Sequence, residues 1–360
     1  MINRIFYILL FVFLKYSVYS FAQNNNHPSD IQYNMQEPKL MAYISSLSYD
    51  EEMKSILHPF YVYIDKFNKN LFVIDSRGSR ILVYDQHFFP LYTLDKRWGI
   101  NSPVCIVSDV NGNLYVLNLK PCGQAEIIKL NRALFVEKVY PMSEKDLVLK
   151  IAVDERERVY VVMRSKEGEN GYRVVVLDRD GNIVRDINPV ENGVPVPIDE
   201  IKIDRKGRIF LVSTYNSKIY VYDKDFNFLF KFGEKGGVTG KLSNPKGIGI
   251  DEERDLAYIV DYMRHAVNVY SLKEGGKYLF EFGGYGIGVE GWFAFPSSVD
   301  VDWEGRVYVA DTFNSRIQIL TPYEGAVNIK IPANRVVKFP EDKTNIKTGL
   351  ISNFEERLIF

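Results

Sequence analysis

One strand–turn–strand pattern recurs six times in this chain. Apolar residues alternate with period two inside each copy, and aromatic residues reach 14%. These three observations predict an all-β fold. The expected architecture is a six-bladed β-propeller of four-stranded antiparallel blades, closed by an N-terminal strand.

The recurrence is clearest over residues 297–320, SSVDVDWEGRVYVADTFNSRIQIL. An alternating run ends in Asp, a charged turn with Gly follows, then a second strand, a short polar loop and a third strand. Residues 247–270 (GIGIDEERDLAYIVDYMRHAVNVY) and 201–223 (IKIDRKGRIFLVSTYNSKIYVYD) repeat it, and looser copies lie near Leu149, Cys105 and Tyr61. The turn aspartates are Asp65, Asp109, Asp154, Asp204, Asp251 and Asp302, spaced 44–51 residues apart. That period suits a blade of short strands, and the period-two alternation excludes a helical solenoid. Second strands are expected near Phe72, Tyr115, Tyr160, Phe210, Tyr258 and Tyr308. Residues 228–232 (FLFKF) and 278–282 (YLFEF) are candidate outer strands.

Pro296 with the VDVDWEGRVYVADTFNSRIQIL that follows resembles an NHL repeat, as does Pro245-Lys246-Gly247 with its sequel. The Gly-rich run 283–296 (GGYGIGVEGWFAFP) resembles that family's inter-blade loop. The resemblance spans residues 58–320. It is strongest in blades five and six, fair in blade four and degenerate in blades one to three. Blade three carries RSKEGENGYR where an Asp-x-x-Asn-x-Arg loop belongs. The resemblance is specific for fold and weak for function, because function resides in sites grafted onto folds.

Four segments follow along the chain. Residues 1–22 read as a secretory signal peptide: Arg4, an apolar run over 5–14, then Ser20-Phe21-Ala22 before a cut. Residues 23–57 form an extension whose stretch 39–45 (KLMAYIS) alternates like a strand. It is expected to lie beside residues 316–320 as the outer strand of blade six, and 326–331 (AVNIKI) is the rival for that place. The propeller occupies 58–331. The tail, 332–360, ends in the apolar FEERLIF, which docks on a blade or on a partner. The expected location is periplasmic or extracellular, with no stable membrane span after signal cleavage.

Composition removes one class of partner. Lys and Arg number 45 against 46 acids, a net charge of −1, so nothing draws the chain to nucleic acid. The turn aspartates suit Asx hairpins, with Gly supplying positive φ in several. Asp75 with Arg80 and Asp311 with Arg316 sit as cross-strand partners around a short loop.

In a meander blade, the loop from second to third strand and the loop to the next blade leave on one face. That face gathers the ligand candidates Arg77, Trp98, Tyr215, Asn216, Arg264, His265, Tyr285, Trp292, Phe313 and Asn314. Exposed aromatics with Arg suit a protein or carbohydrate partner. Counting back two and four from each turn Asp gives the axial positions. Lys150, Glu200, Lys202 and Asp300 fall there, as a polar ligand site or as a self-neutralising plug. No catalytic constellation or metal-ligand spacing appears among the four histidines. A structural Ca²⁺ held by axial carboxylates is the one cofactor the sequence allows. Cys105 and Cys122 are expected to form a disulfide.

The functional expectation is an exported, non-enzymatic binding scaffold. The alternative, implied by related six-bladed propellers, is a metal-dependent lyase or hydrolase. The scarcity of histidine departs from that pattern, since only His265 falls in a repeat loop on the ligand face.

Overall fold

The computed structural model describes residues 40–165, 171–323 and 357–359. Among them, helix is limited to two single 3₁₀ turns, Lys96–Trp98 and Thr312–Asn314, and no helix is long and apolar enough to cross a membrane. The rest is a ring of six antiparallel sheets.

Strand β1 (Leu40–Leu47) comes first. Blade one is β2 (Pro59–Asp65), β3 (Asn70–Asp75), β4 (Arg80–Tyr84) and β5 (Pro90–Leu94). Blade two is β6 (Pro103–Ser108), β7 (Leu114–Leu119), β8 (Ala125–Leu130) and β9 (Val136–Pro141). Blade three is β10 (Asp146–Val153), β11 (Val159–Ser165), β12 (Tyr172–Leu177) and β13 (Ile183–Asp186). A small hairpin, β14 (Val190–Glu191) and β15 (Val194–Pro195), precedes blade four. Blade four is β16 (Glu200–Ile203), β17 (Ile209–Ser213), β18 (Lys218–Tyr222) and β19 (Phe228–Phe232). Blade five is β20 (Pro245–Asp251), β21 (Leu256–Asp261), β22 (Ala266–Ser271) and β23 (Lys277–Gly283). Blade six is β24 (Ser298–Val301), β25 (Val307–Asp311) and β26 (Arg316–Tyr323), completed by β1 and, outside it, β27 (Arg357–Ile359). All six second strands fall where the sequence places them.

Each sheet is sandwiched between two others, so its middle strands are buried on both faces. This is why β21 and β22 are apolar almost throughout. The core is accordingly divided into layers between blades. Phe210, Val221, Ile259 and Tyr270 fill the space between blades four and five, and Tyr258, Val269, Phe282 and Val309 that between five and six.

The turn aspartates act as hairpin caps. Asp302 Oδ1 accepts from the backbone N–H of Glu304 and Arg306, both at 2.9 Å, while its Oδ2 takes Arg306 Nε and the Tyr308 hydroxyl. Asp109 and Asp154 repeat the pattern. A second Asx series, not singled out from sequence, shapes the third-to-fourth-strand hairpins at Asp85, Asn131, Asp178 and Asp223.

Closure uses the N-terminal strand. β1 runs antiparallel to β26 from Leu40 opposite Tyr323 to Leu47 opposite Ile317, with a bulge after Tyr43. Met41, Ala42 and Leu47 are buried in the process. β27 pairs with the other edge of β1, so part of the C-terminal FEERLIF docks on blade six. The rival segment 326–331 lies outside the described residues.

The disulfide is not formed: both cysteines are free thiols. Cys105 lies on an innermost strand with its thiol donating to the Ile151 carbonyl at 3.6 Å, wholly buried. Cys122 lies at the exposed tip of the β7–β8 loop. The two share a blade, but one side chain faces the axis and the other faces solvent.

One imperfect core position lies on the third strand of blade five. The third-strand residue paired two positions before the end-of-strand Asp or its equivalent is Leu82, Ile128, Val175, Tyr220, Asn268 or Gln318. Gln318 reaches Asp311 (2.8 Å), the Trp292 carbonyl (2.7 Å) and the Gly291 N–H (2.7 Å). Asn268 is one methylene shorter, fully buried, and makes no hydrogen bond at either amide atom.

Two predictions follow from the packing. Deleting residues 23–47 removes β1; losing the burial of Met41 and Leu47 alone costs about 4 kcal/mol at roughly 2 per side chain. The melting midpoint should fall well below that of a chain truncated after Tyr323, and equal midpoints would show that β1 is not the latch. Asn268→Leu, which installs the residue of blade one, should stabilise by about 1–2 kcal/mol by removing a buried unpaired amide. A urea midpoint lower than that of the parent protein would refute that account.

Candidate functional site

The axis is closed by charge pairs in two layers. Lys202 Nζ contacts both oxygens of Asp300, at 2.8 and 2.7 Å. Asp300 is fully buried and also accepts from the backbone N–H of Ile64 and of Val301, each at 2.9 Å. In the other layer Lys150 meets Glu200 at 3.1 Å and lies 3.8 Å from the Tyr61 ring centre. Burial pushes the Glu200 carboxyl up against the pull of Lys150 beside it. Burial likewise raises the Tyr61 phenol and the Cys105 thiol. The four axial candidates are thus brought together as two lysine–carboxylate pairs. Each carboxylate faces an ammonium, an arrangement that leaves a calcium ion poorly served. Among the described residues no group of three His, Cys, Asp or Glu stands at metal-binding distance.

Blade five contributes no side chain here. A Cβ on Gly249 would sit 3.0 Å from the Asp300 Cα, so the inner strands of blades five and six approach backbone to backbone. The channel's free space is therefore displaced toward blades one to four.

The loop face carries the other candidates, and several are structural. His265 holds φ +56° and its Nδ1 accepts the Phe295 N–H at 3.0 Å. Burial lowers its pKa to about 4, so it is neutral at ordinary pH. Arg264 binds both oxygens of Glu281 (2.8 and 2.6 Å) and the Gly237 carbonyl. Asn314 bridges Asp311 (2.8 Å) and the Gly286 carbonyl (2.9 Å), and accepts the Gly288 N–H. Asn216 donates to the Tyr220 hydroxyl at 3.0 Å. Trp292 packs on the Gly284 backbone, and Trp98 lies half-buried against the core under the Arg97 guanidinium. Arg77 is exposed.

The remaining aromatics form a connected strip. Rings run from His58 to Phe313 (5.9 Å), Phe295 (4.9 Å), His265 (4.4 Å) and Tyr285 (4.9 Å). Phe313 is 60% exposed, Tyr285 55% and Tyr215 71%. The glycines around Tyr285 and Trp292 let the inter-blade loop fold tightly enough to bring these rings onto the repeat hairpins.

The opposite face holds a feature the sequence reading did not find. A funnel of about 460 Å³ opens there, floored by Tyr63 and Lys202 and walled by Val107, Ala152, Ile201 and Ile203. Its rim is built from the first-to-second-strand turns, where Lys66, Glu155, Arg205 and Glu252 each directly follow a turn Asp. That shared position is the signal the sequence carries; taken one at a time, the turns show only hairpin geometry.

Comparison with known proteins places the fold. Residues 293–320 match the NHL repeat, and residues 191–283 match a family described as 6-bladed beta-propeller. No curated protein matches the chain. Among solved structures, it is similar to an auxiliary nutrient binding protein from Bacteroides thetaiotaomicron VPI-5482, with TM-score 0.58 and 14% identity over 80% of this chain and 78% of that one. A protein of the same description from Bacteroides ovatus ATCC 8483 gives TM-score 0.58 and 15% identity over 79% and 77%. Virginiamycin B lyase from Staphylococcus aureus gives TM-score 0.53 and 9% identity over 78% and 99%. At these identities the likeness is one of fold.

The state of His265 sets a pH dependence. Its folded pKa of about 4 lies below the ordinary 6.5, so the unfolded chain takes up the proton first. The stability this implies is complete above pH 6.5 and is lost as pH falls toward 4. His265→Asn keeps a residue that tolerates positive φ and should flatten the stability–pH curve across that window. Parallel curves for the two proteins would refute the assignment.

Proposed function

This chain is an NHL-repeat six-bladed β-propeller, and on that footing we propose that it is a non-enzymatic binding scaffold, exported under the direction of residues 1–22. The observation that carries the reading is the aromatic strip. Phe313 and Tyr285 stand largely exposed in a connected series of edge-on and tilted rings, held by hairpins most of whose side chains are engaged in local hydrogen bonds. Rigid aromatic area of this kind binds flat apolar surface, either the faces of sugar rings or an apolar patch on a protein, at small entropic cost. The partner is thus a protein or a carbohydrate met at the loop face, and no nucleic acid. The solved structures described as auxiliary nutrient binding proteins are in keeping with this reading.

The lyase or hydrolase alternative needs a free imidazole on the loop face. His265 uses Nδ1 on the Phe295 backbone and resists protonation, so it suits neither a metal nor proton transfer at that atom.

The test is a binding screen of the full chain against an oligosaccharide panel and against envelope proteins by cross-linking. Phe313→Ala combined with Tyr285→Ala should weaken any partner found by roughly tenfold or more, each buried aromatic contributing about 1 kcal/mol or more. Binding that survives the pair unchanged rejects the loop-face assignment. Stoichiometric tightly held metal, with turnover, would favour the enzyme.

A further inference from the structure

We infer that the face opposite the aromatic strip rests on a lipid bilayer, held there by the third-to-fourth-strand hairpins of blades one to four. The inference is independent of the loop-face reading, and it turns the loop face away from the membrane.

The four hairpins are built alike. Asp85, Asn131, Asp178 and Asp223 each accept two backbone N–H groups of their own turn, which fixes the tips. In each, the pairing register shifts just after the turn. The shift leaves Leu91, Val184 and Leu229 out of the ladder in blades one, three and four, as the unpaired residue of a bulge. All three are exposed. Beside them Phe89, Ile183 and Phe228 are each more than half exposed, and blade two offers Phe135 and Val136 in the same way. Every tip presents two large apolar side chains to water, and exposed apolar groups recurring in this manner mark an interaction surface. Blade five breaks the series with Glu274 and Lys277, an ion pair at 2.7 Å. Blade six has no such hairpin, because its fourth strand is β1.

The arrangement of the tips selects the partner. Equivalent hairpins of a ring are related by rotation about its axis, and rotation leaves height along that axis unchanged. The four tips therefore share one level. They also lie on the outer part of this face, while its centre is charged. The first-to-second-strand turns around the funnel carry Lys66, Glu155, Arg205 and Glu252, with Phe67 and Val110 as the exposed large apolar residues among them. A protein–protein interface has the reverse anatomy, an apolar centre within a polar rim. A bilayer requires only that apolar tips reach a common depth, and its headgroup layer receives the charged groups between them. Lipid charge is not the attraction, since residues 85–89, 131–135, 178–182 and 223–227 hold three cations against five acids. The contact is insertion of apolar tips into a zwitterionic surface.

The test is tryptophan fluorescence of the full chain on phosphatidylcholine vesicles, read as the difference from the parent protein. Phe135→Trp and Phe228→Trp place reporters at two tips, and Phe313→Trp places one on the loop face. Vesicles of dibrominated phosphatidylcholine should quench the tip reporters and spare the loop-face reporter. The readout is local, so the apolar run 5–14 cannot mimic it. Adding Phe89→Ser and Ile183→Ser to Phe228→Trp should raise the lipid concentration at half-quenching roughly tenfold or more, because two inserted side chains are lost. Leu91→Asp with Val184→Asp is the second tip variant, and equal melting midpoints establish that each variant folds. Added salt should change the titration little, and phosphatidylglycerol should not strengthen it. Unquenched tips overturn the inference. So does equal quenching of both faces, or half-quenching indifferent to both tip variants. Quenching that requires phosphatidylglycerol and vanishes in salt overturns apolar insertion. Self-association of the vesicle-free protein that the tip variants abolish assigns the tips to a second copy instead.

Discussion

The carboxylate of Asp300 is the contact on which the ring depends. It lies on the inner strand of blade six, takes the Ile64 N–H of blade one and holds the Lys202 ammonium of blade four. Three of the six sheets therefore meet at one buried group. The two ends of the repeat array meet within blade six, between β26 and β1, and Asp300 acts where that blade meets blade one, into which β1 leads directly. The same junction is reinforced by Ser297 and Ser315, whose hydroxyls donate to the Phe60 and Leu57 carbonyls at 2.7 and 2.9 Å. Breaking one partner out of a buried ion pair commonly costs about 3–5 kcal/mol, because the other charge is stranded. The neighbouring Lys150–Glu200 pair adds a second balanced layer, so the axis is filled without net charge.

The fold was legible because its determinants are local. An Asp that accepts backbone N–H from its own hairpin leaves a fixed spacing in the sequence, and six such turns mark six blades. The closing strand was legible for a similar reason: residues 39–45 alternate beside no blade of their own. What stayed hidden was relational. Nothing in the sequence says that Lys202 faces Asp300 across the axis rather than Glu200 beside it. Nor does it say that Cys105 points inward while Cys122 points out. The loop-anchoring acid also changes place. Asp75, Asp261 and Asp311 end second strands and receive backbone N–H groups of the incoming loop. In blade four the acid is Asp199, before the first strand, accepting the Thr214 N–H at 2.9 Å. The bond is the same with donor and acceptor exchanged between segments, and pattern matching registers only a missing Asp at Ser213.

The candidate site was legible in composition and not in role. The sequence gathered Arg264, His265, Asn216 and Asn314 on one face because loop position follows from blade order. Their side chains turn inward because long inter-blade loops carry many backbone groups that need partners. The aromatics, with little hydrogen bonding to offer, were left to project. The funnel escaped notice because its rim consists of turn residues that look interchangeable until six turns are set around an axis.

Blade six is assembled from both ends of the chain, β1 from the beginning and β24 to β26 from the close of the repeats. Registering Leu47 against Ile317 joins positions separated by nearly the whole propeller. Loop-closure entropy grows only as about (3/2)RT ln n, so this long loop is thermodynamically tolerable, but it delays the event. The first five sheets can be synthesised and can even pair internally, while the ring stays open until Arg316–Tyr323 has been made. The chain thus has a built-in completion signal. A truncated polypeptide retains an unpartnered β1 and an uncovered fifth blade, an open edge and apolar surface of the kind that favours aggregation.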